Sequence, residues 1–100
     1  MSHPAIRQLA LQLPVFFLKE KKTFIAYTPA LDLSASGSST ANAKKNFEKT
    51  LGIFLEELLE HGTLEEVLKE LGWFKQERQW QPPVKVSRMT SVAFRLPVPA

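Results

Sequence analysis

The segment Ile6–Leu18 alternates with a period of two and leads, after four charged residues, into a second short apolar run. Leu9, Leu11, Leu13, Val15 and Phe17 fall on one side; Gln8, Ala10, Gln12, Pro14 and Phe16 fall on the other. Such alternation, rich in Val and Phe, is a strand signature. Pro14 has no N–H to give to a ladder, so this strand needs an edge or a bend there. Phe24-Ile25-Ala26-Tyr27-Thr28 reads as a second strand, with Lys19-Glu20-Lys21-Lys22 as the hairpin loop. On this reading Leu18 lies opposite Thr23, Phe17 opposite Phe24 and Phe16 opposite Ile25. One face then carries Val15, Phe17, Phe24 and Ala26, and the other carries Phe16, Leu18, Ile25 and Tyr27. Both faces are apolar, and one layer of helices can cover only one of them. The tail, a second copy or a partner has to cover the other.

Pro29 ends the second strand, and Leu31, Leu33 and Ala35 alternate with Asp32 and Ser34 to suggest a short third strand before Gly37. Ser39 has the side chain of an N-cap. Ala43, Phe47, Leu51, Phe54 and Leu58, widened by Leu55 and Leu59, form the apolar stripe of a helix expected over 40–60. Gly62 is placed to stop it in a left-handed C′ conformation. Thr63-Leu64-Glu65-Glu66 reads as a capping box opening a second, short helix, whose buried side is Leu64, Val67, Leu68 and Leu71. Beyond Trp73 the texture changes. Trp80-Gln81-Pro82-Pro83 favours extended backbone, and Thr90–Leu96 reads as a last strand with Val92, Phe94 and Leu96 on one side. The expected fold is α+β: an antiparallel sheet of three to four strands packed on one long and one short helix. Residues 1–73 form that domain, and residues 74–100 form an extended tail ending in a strand.

The 100 residues carry a net charge of +3, unevenly distributed. Residues 1–46 hold six Lys/Arg against two acids, residues 47–72 two against seven, and residues 73–100 five against one. Two basic ends therefore flank an acidic middle, which suits a basic partner. The longest apolar run, Leu9–Leu18, is too short and too interrupted to span a bilayer, which takes about 20 apolar residues. It also lacks the flanks of a signal peptide. The expectation is a soluble, cytoplasmic protein with no membrane partner.

Catalytic chemistry is hard to assemble from these residues. Cysteine is absent, and histidine and aspartate are limited to His3, His61 and Asp32. A nucleophilic triad would need one of the two histidines oriented by Asp32, but His3 lies near a terminus and His61 at a helix end, where capping is the ordinary role. Metal-dependent hydrolysis needs converging carboxylates, and Asp32 is the only acid between Lys21 and Phe47. No phosphate-binding glycine loop is present. The expectation is no catalytic residue, no metal and no cofactor. Trp73, Phe74, Lys75, Arg78 and Trp80 interleave rings and cations as single-strand binders do. Lys75, Arg78 and Trp80 are therefore candidate contacts for DNA or RNA. The alternative is that both tryptophans pack the tail onto the body.

The segment from Phe24 to Ser39, with Ala43 four residues later, resembles the signature of the HicB-like antitoxin family. Pro29, Leu31, Gly37, Ser39 and Ala43 occupy its characteristic positions, and the likeness covers residues 15–73. The resemblance implies a β-β-β-α-β type domain related to ribonuclease H. It further implies an antitoxin that masks a small RNA-cleaving toxin of the HicA type, commonly assembled as a dimer or tetramer. Thr90–Pro97 resembles the opening strand of the ribbon-helix-helix module that many such proteins carry. The leading expectation is a non-enzymatic protein that works by binding protein and forms a homo-oligomer. Phe16, Leu18, Ile25 and Tyr27 are its expected interface, and Phe94 and Leu96 its strand-exchange residues. The competing expectation, from a different class, is a stand-alone nucleic-acid binder using the basic tail.

Overall fold

The computed structural model describes residues 10–93 and 95–99. Its elements are β1 (Ala10–Leu11), β2 (Phe16–Glu20), β3 (Thr23–Thr28), β4 (Leu33–Gly37), α1 (Thr40–Glu60), α2 (Leu64–Glu70), β5 (Phe74–Gln76) and β6 (Gln79–Gln81). The fold is α+β, as expected, but the strands form two small sheets, ordered β2-β3-β4 and β1-β6-β5. The first sheet is antiparallel; in the second, β1 runs parallel to β6.

The alternating stretch that opens the chain is not one strand. Its described part breaks between Leu11 and Phe16, so that β1 and β2 join different sheets. Pro14 lies in the break, where its missing N–H is not needed by a ladder. The hairpin register also differs from the expected one. Phe16 pairs with Tyr27, Phe17 with Ala26, Leu18 with Ile25 and Glu20 with Thr23. Lys19 and Glu20 are thus strand residues, and the loop shrinks to Lys21-Lys22, with Lys21 at a φ of 56°. Because the slip is two residues, the side-chain period preserves every face assignment.

The helix α1 begins where its cap chemistry dictates. Ser39 Oγ accepts from the N–H of Asn42 at 3.0 Å, satisfying one of the orphan donors of the first turn. Asn42 Oδ1 in turn accepts from Ser38 N at 3.0 Å, and Asn46 Nδ2 donates to Ser36 O at 2.8 Å. These bonds lash the first two turns of α1 to the end of β4. The approach is so close that a Cβ on Gly37 would collide with the backbone nitrogen of Ala43 and sit 2.6 Å from Asn42 Oδ1. Ala43 and Phe47 then bury themselves against Ala26, with Phe24, Leu33, Ala35 and Leu51 around them.

A second apolar cluster joins Leu64 and Leu68 of α2 to Ala30, Leu31, Trp73 and Trp80. Both helices end in the same way. Thr63 N bonds to Leu58 O and Gly62 N to Leu59 O, and likewise Trp73 N to Leu68 O and Gly72 N to Lys69 O. These are the paired bonds of a Schellman cap, with Gly62 and Gly72 at φ of 68° and 89°. In the second cap the residue after the glycine is Trp73, whose indole packs into the core beside Leu68. The expected capping box is absent: the Thr63 side chain makes no cap bond to α2 and instead donates to Leu58 O at 3.3 Å. The reason is that Thr63 is already committed to closing α1. Leu59, expected in the buried stripe, is 66% exposed.

Residues 74–81, expected to be extended, form the β5–β6 hairpin, whose Trp80 is fully buried. No strand forms among the described residues of Thr90–Leu96; Phe94 lies outside the described residues.

Two glycine substitutions should move stability in opposite directions. Gly37→Ala must push α1 away from β4 and should cost about 2–3 kcal/mol. Gly52→Ala adds a methyl in open space on α1 and should gain about 0.5–1 kcal/mol. Urea denaturation of the two variants beside the parent checks both signs.

Candidate protein interface

The antiparallel sheet has a covered side and a bare side. In an antiparallel ladder directly paired residues share a face, so the registers place Phe17, Phe24, Ala26, Thr28, Leu33 and Ala35 together. This is the side on which α1 packs, over β3 and β4. The opposite side carries Phe16, Leu18, Ile25 and Tyr27 on β2 and β3, and Ser34 and Ser36 on β4. The four apolar residues are the ones the sequence places on that face. None of them belongs to either core cluster. Leu18 is 50% exposed, while Phe16, Ile25 and Tyr27 are partly buried.

Phe17 was expected on the helix side and does lie on that face, yet it is 42% exposed. The helix sits over β3 and β4 and leaves the edge strand β2 bare. Phe17 and Leu18 therefore present apolar surface on both sides of one open edge. Sequence pattern identifies the faces of a strand but not how far a helix reaches across the sheet, so Phe17 could not be singled out from the sequence. The far end of the edge is Lys19-Glu20-Lys21-Lys22. Lys19 lies across from Phe24 with its Nζ 5.4 Å from the ring centre. Charges of this kind limit indiscriminate strand pairing.

A polar contact borders the bare face. The Tyr27 hydroxyl donates to Asp32 Oδ1 at 3.1 Å. Asp32 occupies the turn before β4 at a φ of 50°, a conformation aspartate tolerates better than most residues. The bond to Asp32, followed by desolvation and the negative charge of that carboxylate, raises the Tyr27 pKa above the ordinary tyrosine value.

The other candidate residues separate in space. His61 packs its Nδ1 against Glu57 O at 2.7 Å, a helix-end contact far in character from a catalytic one; His3 lies outside the described residues. Among the described residues no three His, Asp or Glu side chains gather where they could hold a metal ion. Trp80 is 0% exposed, so its ring has no face to offer a base. Trp73 is buried too, and its Nε1 donates to Ala30 O at 3.0 Å across 43 residues of sequence. The tryptophans pack the segment after α2 onto the body. Lys75 lies 3.6 Å from Glu65 Oε1 and 5.8 Å from the Trp80 ring centre, and Arg78 is exposed in the β5–β6 turn. Leu96 is 70% exposed. No helix among the described residues is long and apolar enough to cross a membrane.

Comparison with protein-family models, with curated proteins and with solved structures returns no match.

Tyr27 is the chain's only tyrosine, so its titration can be followed directly by ultraviolet absorbance. The midpoint should lie above that of the unfolded chain, and Asp32→Asn should lower it while keeping the turn. Because the folded value is the higher one, the contact contributes its stability below the ordinary tyrosine range. That contribution should disappear as pH rises through the folded midpoint.

Proposed function

We propose that the chain is a HicB-like antitoxin-type protein that acts by protein–protein binding, not catalysis, and masks a small RNA-cleaving toxin. The observation that carries this reading is the bare apolar face made by Phe16, Leu18, Ile25 and Tyr27 beside the open edge of β2. Burying it would remove apolar area from water at about 25 cal/mol per Å², and the outer edge of β2, unpaired among the described residues, could accept a partner strand.

The positions that carry the family likeness also have coherent local roles. Gly37 admits the helix, Ser39 caps it, Ala43 is fully buried beneath it, and Leu31 enters the second core cluster. Pro29 follows directly on β3. The order of three antiparallel strands followed by a long helix agrees with the β-β-β-α portion of the implied domain. The acidic surface of the last turns of α1 and of α2, where Glu56, Glu57, Glu60, Glu65, Glu66 and Glu70 lie, suits a basic, RNA-handling partner. Self-association into a dimer or tetramer is part of the same proposal, since a second copy also would cover apolar surface. The competing nucleic-acid reading would have to do without the rings of Trp73 and Trp80, which are buried, and rely on Phe74, 49% exposed beside Lys75.

The test is co-purification of the full chain from its native host, followed by an RNA-cleavage assay on the protein recovered with it. The reading expects a small basic partner whose cleavage of RNA the chain suppresses. Leu18→Asp, at a half-exposed site, should leave the melting temperature within about 2 °C while raising the concentration needed for suppression roughly tenfold or more. A partner without RNA-cleaving activity, or suppression unchanged by Leu18→Asp, contradicts it.

A further inference from the structure

A second apolar surface lies away from the sheet face. Leu11, Leu55, Leu59 and Leu64 line a groove of about 580 Å³ where the last turns of α1 meet the start of α2, with Glu56 and Glu65 at its rim. Leu59 continues the apolar stripe of α1 but is 66% exposed, so the stripe runs on past the core that covers it. Carboxylates surround the groove. Residues 56–70 hold six glutamates against the single Lys69. Among the described residues only Glu65 of the six has an ion pair, with Lys75 Nζ at 3.6 Å, and both side chains of that pair are exposed.

Charge and shape select the occupant. Nucleic acid or an anionic lipid would set phosphates against these carboxylates, and like charges in contact are costly. A protein segment that is apolar and basic together gains from both the floor and the rim. Leu55 and Leu59 lie one turn apart, about 6 Å along the axis of α1. A second helix presents its own i and i+3 or i+4 side chains at about that repeat. The strand at the groove, β1, has two residues and gives an extended chain little ladder to join.

The chain's own tail starts close by, since Leu11 pairs with Trp80. Residues 84–99 carry Lys85, Arg88 and Arg95 and no carboxylate. Yet Met89, Val92 and Leu96 are 71%, 83% and 70% exposed, so these side chains are not seated on the leucine floor.

We propose that the α1–α2 groove docks a basic amphipathic helix of a partner protein. The apolar residues of that helix lie on Leu55, Leu59 and Leu64, and its flanking Lys or Arg side chains meet Glu56 and Glu65. The proposal rests on the reading of this chain as one that works by binding protein. It gives that binding a second contact, made by residues distinct from the sheet face.

The probe is a fluorescent peptide of about 14 residues, built of leucine and lysine at amphipathic helical spacing and titrated with the full-length chain by anisotropy. Glu56→Lys and Glu48→Lys change the net charge equally, but Glu48 lies on α1 outside the groove. Leu59, Glu56 and Glu48 are all exposed, so circular dichroism of each variant should match the parent. Leu59→Ser and Glu56→Lys should each weaken peptide binding about tenfold, and Glu48→Lys less than about twofold. Equal weakening by the two charge changes, or binding untouched by Leu59→Ser, overturns the proposal. A Met89→Ser/Val92→Ser variant that binds the peptide several-fold more tightly overturns it in favour of the chain's own tail. A dimer of the parent that Leu59→Ser dissociates in sedimentation overturns it in favour of a second copy. Leu18→Asp should bind the peptide as tightly as the parent, so failure here leaves the RNA-cleavage result standing, and the reverse also holds.

Discussion

One helix cannot cover a sheet that is apolar on both sides, and this mismatch governs the molecule. The β2–β3 hairpin places Phe17, Phe24 and Ala26 on one face and Phe16, Leu18, Ile25 and Tyr27 on the other. The helix α1 is committed to the first face by its own entry. Ser39, Asn42 and Asn46 tie its start to β4, and Gly37 lets the two backbones touch. Nothing in that arrangement can swing to the other side. The core that results is small, centred on Ala26, Ala43 and Phe47, and the bare face is its direct complement.

The second half of the fold extends the covered side and not the bare one. Trp73 closes the α2 cap, packs on Leu68 and reaches Ala30 O through its indole N–H. Trp80, on β6, completes the same cluster between α2 and the β1-β6-β5 sheet. These rings consolidate the loop between β3 and β4, where Ala30 and Leu31 are buried, and thereby fix the turn that carries Asp32 to Tyr27. The two tryptophans of the C-terminal third hold the frame, whereas Phe16, Phe17 and Tyr27 of the hairpin and Phe74 of β5 stay outside the core or at its open edge.

Much of this was legible in the sequence because it follows from periodicity. The extent of α1, its Ser39 cap, the glycine at its end and the membership of both hairpin faces all come from spacing and from side-chain chemistry that acts locally. What was illegible depends on backbone conformations with weak sequence marks. Both two-residue turns place a charged residue, Lys21 or Glu77, at positive φ where glycine or asparagine would have announced the turn. The hairpin register and the β5–β6 hairpin were hidden for that reason. Thr63 had two competing uses, and the Schellman bond at the end of α1 prevailed over the capping box. The exposure of Phe17 and Leu59 depends on where elements stop covering one another, which no single-segment pattern encodes.

Association through the sheet therefore depends on the state of one surface in the working protein. Hydroxyl-radical footprinting with mass spectrometry reads it residue by residue. In the isolated, dilute chain Phe16, Leu18 and Tyr27 should oxidise readily, with buried Phe47 protected. In the assembled form recovered from cells the three should become several-fold less reactive. Equal labelling of the three in both states, or protection already complete in the dilute single chain, would contradict the claim that this face exists to be covered by another molecule.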